Sequence, residues 1–164
     1  MADPLDSIFI QHVNQNLGIA HKVSRIYFYD AVEREDVLQE MMYQLWRSYP
    51  RFDGRAKFST WMYSVCLNTA LTYMRKSKKE KAESLSLIHD QIAEQPSENQ
   101  EEAITLLFNA IATLSPVNKA IVLLYLENMS YEEIAAITGL SKSNVSVRLV
   151  RIKKELEVQL KTRI

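Results

Sequence analysis

The sequence predicts an all-α fold of two small helical domains joined by a flexible linker. Hydrophobic residues make up 47% of the 164 residues, which is ample for packed cores, whereas Gly (three) and Pro (four) are few. Apolar residues recur at intervals of three and four, which is the spacing of one helix face. This periodicity fades over residues 78–102, so we expect helical domains at residues 1–77 and 103–164 with a linker between them.

The first domain is predicted to contain three helices. The first, over about residues 13–29, is indicated by apolar residues at every third position: Leu17, Ala20, Val23 and Ile26. The charged segment 30–35 is a connection or the start of the second helix. The second helix carries apolar pairs every four positions, which form one stripe: Val37, Leu38, Met41, Met42, Leu45 and Trp46.

The second helix should end before Pro50, because the residue before a proline is disfavoured in the helical region. A loop is expected at residues 50–58, with Asp53-Gly54 as its turn. Ser59 or Thr60 is then expected to cap a third helix over about residues 61–76. Its inward-facing side chains are predicted to be Trp61, Val65, Cys66 and Thr69.

Two basic segments flank an acidic stretch rich in Gln and Ser, although the net charge of the chain is zero. Residues 75–81 contain five basic residues and one acidic residue, and residues 141–164 contain seven basic and two acidic residues. Residues 83–103 contain six acidic residues and neither Lys nor Arg. Because the local field governs phosphate binding, both basic segments are candidate nucleic-acid contacts, with solvated helix faces as the alternative. About 25 linker residues would span roughly 25–30 Å, with a short helix expected around residues 85–92.

The second domain is predicted to contain four helices with clear end signals. The first is indicated by an apolar stripe: Ile104, Leu107, Phe108, Ile111 and Leu114. Ser115 followed by Pro116 is a typical helix start, so a second helix should run to about residue 126. Ser130 and Glu133 form a capping box that opens a short third helix at residues 131–138.

A tight turn is expected between the third helix and the last. Gly139 should end the third helix in the left-handed conformation, with Leu140 packing back onto the core. Ser141 then caps the last helix, which should reach about residue 160 and bury Val145, Leu149, Ile152 and Leu156. A short helix, a glycine turn and a basic second helix are typical of a helix-turn-helix whose second helix enters the DNA major groove.

The exposed side of the last helix presents small polar and basic residues near its start. Asn and Arg make bidentate contacts with adenine and guanine, and short polar side chains approach base edges closely. The helix N-terminus and the later Lys153 and Lys154 suit phosphates. An ordinary helical bundle with a basic surface is the alternative. The predicted DNA-contacting residues are Lys142, Ser143, Asn144, Ser146, Val147, Arg148 and Arg151.

Aromatic residues are concentrated beside cations in the second half of the first domain. This combination suits single-stranded nucleic acid, whose bases stack on aromatic faces or flip into pockets. Composition alone does not separate that function from simple burial in the domain core. The residues are Tyr49, Arg51, Phe52, Arg55, Lys57, Phe58, Trp61, Tyr63, Asn68, Tyr73 and Arg75.

The remaining features argue against other classes of protein. The single cysteine, Cys66, precludes an intrachain disulfide and suits a reducing cytoplasm. No apolar run approaches the roughly 20 residues of a membrane span, and no secretory signal is visible at the N-terminus, so a cytoplasmic location without membrane insertion is expected. We expect neither an enzyme nor a metal or cofactor site, because these residues lack metal or catalytic spacing: His12, His21, His89 and Cys66.

Two sets of motifs follow one another along the chain. The first set is Glu35-Asp36-Val37-Leu38-Gln39-Glu40, Leu45-Trp46, Tyr49-Pro50-x-Phe52-x-Gly54, Phe58-Ser59-Thr60-Trp61-Met62-Tyr63, Asn68-Thr69-Ala70 and Tyr73-x-Arg75. The second set is Leu114-Ser115-Pro116 and the helix-turn-helix at residues 131–149. In order and spacing they resemble regions 2 and 4 of the bacterial sigma factors, over about residues 14–77 and 104–157. The match is to the smallest members, the extracytoplasmic-function group.

This resemblance implies a subunit that binds core RNA polymerase, directs it to promoter DNA and helps open the start site. It implies contacts with the clamp helices of the largest polymerase subunit at Asp36, Gln39, Glu40 and Tyr43, and a further contact with the polymerase flap. Capture of the unpaired −10 strand is implied for Phe52, Arg55, Lys57, Phe58, Ser59, Thr60, Trp61, Tyr63, Asn68 and Arg75. The last helix would read the −35 element. An anti-sigma partner is also expected, since members of the group are often sequestered by one.

The chain departs from the resemblance at the start of the last helix. Many members have Gly-Thr-Val-Lys-Ser-Arg there, so Ser146 and Val147 replace a basic and a small polar residue. The −35 sequence read here therefore need not be the common one. The alternative function is a stand-alone helix-turn-helix regulator, whose first domain would serve dimerisation or ligand binding. Such a regulator would bind paired half-sites as a dimer without polymerase.

Overall fold

The structure, a computed structural model, describes the backbone of residues 3–83 and 100–162 and the side chains of residues 3–79 and 102–162. Every regular element in these ranges is helical, which confirms the predicted all-α class. The chain divides into two compact units, Met1–Gln91 and Ile92–Ile164, and each is described by itself below. The short helix predicted around residues 85–92 lies outside the described residues.

Within residues 3–83, the first unit contains four helices and a short 3₁₀ turn. They are α1 (Pro4–Gln15), α2 (Leu17–Tyr27), α3 (Ala31–Ser48), the 3₁₀ turn Tyr49–Arg51 and α4 (Phe58–Glu83). Helix α4 packs against both α2 and α3, which also contact each other. The core between them is formed by fully buried side chains: Val23, Val37, Met41, Leu45, Met62, Cys66 and Ala70.

The single helix predicted over residues 13–29 is wrong, because the chain forms two helices that meet at Asn16. The Nδ2 atom of Asn16 donates to the carbonyl of His12 at 2.9 Å, which satisfies a carbonyl left open at the end of α1. The start of α1 was also missed. Asp3 caps it by accepting a hydrogen bond from the backbone N–H of Leu5 at 3.1 Å, and Pro4 occupies the first helical position.

Helix α3 begins where the charged segment predicted a helix start, with the Asp30 carboxylate accepting from the N–H of Val32 at 3.3 Å. The predicted buried stripe of α3 is confirmed at Val37, Met41 and Leu45. The prediction that Trp46 belongs to this stripe is wrong, because its side chain is 58% exposed. Trp46 lies nine positions after Val37, and at 3.6 residues per turn that is two and a half turns, on the opposite face.

Helix α4 begins earlier and ends later than predicted. The N–H of Trp61 donates to the carbonyl of Lys57 at 3.1 Å, so Ser59 and Thr60 lie inside the first turn and neither caps the helix. The helix continues to Glu83, because Lys, Glu and Ala after residue 77 are strong helix formers. In the preceding loop, Gly54 has a φ of +77°, and Asp53 Oδ1 accepts from the N–H of Arg55 at 3.0 Å, as expected for the predicted turn.

The second unit, described over residues 100–162, contains four helices there around one core. They are α5 (Gln100–Ala112), α6 (Pro116–Leu126), α7 (Tyr131–Thr138) and α8 (Lys142–Thr162). Helix α8 packs against the other three. The fully buried side chains are Ile111, Ile121, Leu124, Ile134, Val145, Leu149 and Ile152. Four residues of the predicted apolar stripes are not fully buried: Leu107, Phe108 and Leu156 are half-buried, and Ile104 is 56% exposed near the start of α5.

The predicted end signals of the second unit are confirmed. The hydroxyls of Ser115, Ser130 and Ser141 accept hydrogen bonds at 3.3, 3.1 and 3.1 Å. The donors are backbone N–H groups three residues later in each helix. Gly139 ends α7 with a φ of +76°, and its N–H donates to the carbonyl of Ala135 at 2.9 Å. These caps define a short helix, a glycine turn and a second helix.

Candidate functional site

The first turns of α8 present the residues predicted to contact DNA. Lys142, Ser143, Asn144, Val147 and Arg151 are exposed, and Ser146 and Arg148 are half-buried. Burial of Val145, Leu149 and Ile152 on the other side anchors the helix to its unit. All seven predicted residues therefore reach the surface together. We call them the α8 surface.

Arg148 is held by two side-chain amides at the edge of the α8 surface. Its Nε atom donates to Asn144 Oδ1 at 3.0 Å, and Nη1 donates to Asn118 Oδ1 on α6, also at 3.0 Å. Asn118 was missed by sequence reasoning, since the contact joins positions 30 residues apart and no local pattern indicates it. The amides leave the charge of the guanidinium intact, because Asn carries none.

Two lysines of α8, Lys142 and Lys153, contact side chains of neighbouring helices. Lys142 Nζ lies 2.7 Å from Glu132 Oε1 on α7. This hydrogen bond and the opposite charges lower the pKa of the Glu132 carboxyl and raise the pKa of the Lys142 ammonium. Lys153, which the sequence assigned to phosphates, has its Nζ 4.5 Å from the centroid of the Tyr125 ring. Arg148 and Lys142 are thus both engaged with neighbouring side chains.

Four rings of the first unit form an aromatic cluster: Tyr49, Phe52, Phe58 and Trp61. The centroid of Phe52 lies 5.7 Å from that of Phe58 and 5.2 Å from that of Trp61, and Phe58 and Trp61 are 5.4 Å apart. All four rings are half-buried. The rings pack on one another and still reach the surface. The sequence left open whether they are core residues or exposed stacking faces, and each ring is partly both.

Helix α1 packs on the aromatic cluster, which sequence reasoning did not foresee. The ring of Phe9 lies 4.9 Å from that of Tyr49, and the His12 ring stacks on Phe58 at 4.9 Å. Phe9 and Val13, four residues apart, are the buried positions of α1. An apolar i, i+4 pair in the first 15 residues was the available signal.

The other residues predicted for the −10 strand occupy three environments. Arg55, Lys57, Asn68 and Arg75 are exposed, and Ser59 and Thr60 are half-buried. Tyr63 is 1% exposed and is the one buried residue of those predicted to contact the −10 strand. Its position in α4 explains the burial, because Tyr63, Leu67 and Ala70 follow at spacings of four and three on the face that packs against the core.

The outward face of α3 carries the residues predicted to contact polymerase. Asp36, Gln39, Glu40 and Tyr43 are all exposed, with the Tyr43 side chain at 51%. Their spacing of three and four places them on one side of the helix, and we call them the α3 surface. Trp46 lies three residues beyond Tyr43 and continues this surface with a large exposed ring. Sequence reasoning had placed that ring in the core.

A groove of about 390 Å³ separates the α3 surface from part of α4. It is lined by Glu40 and Gln44 from α3 and by Asn68, Thr72, Tyr73 and Lys76 from α4. Glu40 Oε1 accepts a hydrogen bond from Gln44 Nε2 at 3.0 Å. Residues predicted for two different partners, Glu40 and Asn68, therefore lie on the two walls of one groove.

Among the described residues, no group of His, Cys, Asp or Glu side chains is arranged to hold a metal ion. Within the same ranges, no helix is both long and apolar enough to cross a bilayer. Burial raises the pKa of the Cys66 thiol to about 12. This cysteine is consequently protonated at neutral pH.

Comparison with known proteins matches both units. Residues 11–80 match the family description "Sigma-70 region 2", and residues 104–156 match "Sigma-70, region 4". The chain is 30% identical over 128 residues to the RNA polymerase sigma factor SigV of Bacillus subtilis, covering 76% of this chain and 74% of that protein. It is 29% identical over 135 residues to the ECF RNA polymerase sigma-E factor of Escherichia coli K12, covering 74% and 71% of the two chains.

Solved structures share the fold. The sigma factor RpoE of Bartonella quintana, solved in complex with the anti-sigma factor NepR, aligns with a TM-score of 0.80 at 23% identity, over 93% of this chain and 96% of that chain. CnrH, solved with the cytosolic domain of CnrY, aligns with a TM-score of 0.65 at 21% identity, over 96% and 90%. With both regions matched in order, this chain belongs to the extracytoplasmic-function group of the sigma-70 family, non-enzymatic factors that direct transcription initiation.

Proposed function

We propose that the two units divide promoter recognition between them, with α8 reading the −35 duplex and α4 with its preceding loop capturing the unpaired −10 strand. For this division we propose the boundaries expected from the sequence, residues 1–77 and 103–164 around a linker at 78–102, although α4 continues to Glu83 and α5 begins at Gln100. The observation that carries the proposal is the α8 surface. Its seven residues, predicted from the sequence, all reach the surface on a helix whose opposite face is anchored in the core.

The α8 surface suits the edges of base pairs in duplex DNA. Short side chains at Ser143 and Ser146 allow close approach, and the Val147 side chain, 50% exposed, suits a thymine methyl group. Arg148 supplies the donors that a guanine accepts in the major groove. The N-terminus of α8 offers a phosphate the first-turn backbone N–H groups other than that of Asn144, which donates to the Ser141 hydroxyl.

The aromatic cluster suits unpaired bases. Half-buried rings provide stacking faces, and the exposed Arg55 and Lys57 in the loop next to them provide charge for the strand backbone. The free energy of base stacking indicates that the aromatic cluster alone contributes only part of the cost of opening DNA. Opening about five base-pair steps costs roughly 7 kcal/mol, whereas one stacked base returns about 1–3 kcal/mol. The chain alone should therefore open DNA poorly, with polymerase supplying the remaining free energy.

The α3 surface is the proposed docking site for the clamp helices of the largest polymerase subunit. It contains the exposed rings of Tyr43 and Trp46, a residue type enriched at protein interfaces, beside acidic and amide side chains that suit a polar rim. The second unit would contact the polymerase flap. Transcription by such a complex places the protein in the cytoplasm.

An anti-sigma protein is a further proposed partner. The support is the solved complex of a structurally similar sigma factor, RpoE of Bartonella quintana, with the anti-sigma factor NepR. Co-purification of the tagged chain from its own cells at native expression would identify such a partner.

The decisive experiment is run-off transcription from a promoter library with core polymerase, with and without this protein. We expect protein-dependent transcripts that share −35 and −10 sequences. Permanganate should modify promoter thymines only when polymerase is also present. Tight binding of the isolated chain to paired half-sites as a dimer, without any effect on transcription by core polymerase, would indicate the stand-alone regulator instead.

Two variants separate the proposed roles. Arg148→Ala should weaken −35 recognition and leave polymerase binding intact, whereas Asp36→Ala combined with Gln39→Ala should do the reverse. Gel shifts of the chain itself with −35 duplex DNA and polymerase pull-downs measure the two effects, after circular dichroism has shown that both variants fold. If each variant failed in both assays, this assignment of roles would be wrong.

A further inference from the structure

Asn118 contacts the α8 surface from a helix that the helix-turn-helix does not include. Its Oδ1 atom accepts from Nη1 of Arg148 at 3.0 Å, and Asn144 accepts from Nε of the same side chain. We propose that Asn118 is a positioning residue that fixes the Arg148 guanidinium for reading one base pair of the −35 duplex. This inference rests on the proposed function of the α8 surface.

The donor count of the guanidinium is compatible with this role. Arginine has five N–H donors and no acceptor, and the two amides use two of them. Three donors remain, and a bidentate contact with guanine O6 and N7 needs two. Arg148 can therefore keep both amide contacts while it binds a base. An amide at position 118 also leaves the arginine charge available to DNA, whereas a carboxylate would pair with it.

The position of Asn118 makes it a firm support. It lies in the first turn of α6, and its backbone N–H is bound by the Ser115 hydroxyl at 3.3 Å. The next turn of α6 is anchored by Ala120 and Ile121, which are buried in the core. The Asn118 amide is thus attached to the rigid centre of the unit. Contact with it orders the long Arg148 side chain before DNA arrives, so less side-chain entropy is lost on binding.

The test compares Asn118→Ala with Arg148→Ala and with the double variant. Each full-length chain is assembled with core polymerase, and affinity is measured for promoter DNAs in which every −35 base pair is varied in turn. Asn109→Ala is the matched control, because Asn109 is an exposed asparagine of α5. We expect Asn118→Ala to weaken binding by about 2- to 10-fold, only at the base pair that Arg148→Ala also affects. When Arg148→Ala is already present, adding Asn118→Ala should cause no further loss of affinity.

A second variant keeps the test informative if Asn118→Ala lowers the melting temperature. Asn118→Asp has the same shape, and a carboxylate is favourable in the first turn of a helix. We expect it to preserve the base preference, since the carboxylate accepts the same hydrogen bond from Arg148 Nη1. Loss of that preference in Asn118→Asp, as in Asn118→Ala, would contradict the direct contact.

The outcomes distinguish the positioning role from the proposed function itself. If Arg148→Ala loses base preference and Asn118→Ala does not, the positioning role is overturned and the −35 assignment stands. Equal loss at every base pair, or further loss in the Arg148→Ala background, would show that Asn118 contacts DNA directly or only supports the fold. If Arg148→Ala changes no base preference, the −35 assignment fails and the positioning role fails with it.

Discussion

Glu132→Gln should strengthen the binding of the complete polymerase complex to promoter DNA and make it more sensitive to salt. In the parent, Lys142 Nζ lies 2.7 Å from Glu132 Oε1, at the first residue of α8, where a phosphate would approach. Removing the carboxylate charge frees the ammonium for that phosphate. Glutamine keeps the length of the side chain and its helix propensity, so the fold should be unchanged.

The size of the effect follows from counterion release. One additional phosphate contact steepens the slope of log affinity against log salt by about 0.9. Between about 50 and about 200 mM salt, a fourfold change, the variant should therefore lose about 3.5-fold more affinity than the parent. Fluorescence anisotropy with a labelled promoter fragment across this salt range measures the slope.

The pKa of Glu132 defines the pH range of this comparison. Lys142 lowers the pKa of the carboxyl below its usual value of 4.5, so at pH 7 the carboxylate is charged and the pair is intact. Any stability that the pair contributes is present above pH 4.5 and is lost as pH falls through the lowered pKa. Between pH 6 and 8 the difference between parent and variant should be constant.

Glu133→Gln is the matched control, because it removes the same charge from the neighbouring exposed position of α7. A change in slope of equal size in both variants would show that only the general field matters. An unchanged slope in Glu132→Gln would refute the reasoning, since Lys142 would then either leave Glu132 freely in the parent or contact no phosphate.

Three further predictions concern stability and reactivity. Gly139→Ala should destabilise the second unit by about 1–2 kcal/mol through left-handed strain alone, because no atom lies within 4 Å of the added Cβ; thermal melting without a shift would contradict this. Phe9→Ala should cost the first unit about 3 kcal/mol in urea unfolding, since α1 loses its ring contact with Tyr49; a loss below about 1 kcal/mol would mean that α1 adds little to the fold. Cys66 should react with a thiol reagent at pH 8 only after denaturation, because burial raises its pKa to about 12; fast modification of the folded chain would argue against that environment.

The sequence alone determined the features that depend on near neighbours in the chain. Each confirmed cap in the second unit joins a serine to a backbone N–H three residues later, and Gly139 adopts its conformation because it lacks a Cβ. The helix-turn-helix and the seven residues of the α8 surface follow from these caps and from the buried stripe of α8. Such interactions are complete within one or two turns, so the local sequence suffices to place them.

Only the tertiary structure decided which side of a helix meets a neighbour and which distant residues touch. Trp46 was expected in the core and lies at the surface, whereas Tyr63 was expected at the surface and is buried. The burial of both residues depends on where α2, α3 and α4 contact one another. The packing of α1 on the aromatic cluster and the bond from Arg148 to Asn118 join segments distant in sequence. Contacts of this kind form only when separate helices pack together, so no periodicity within a single helix could reveal them.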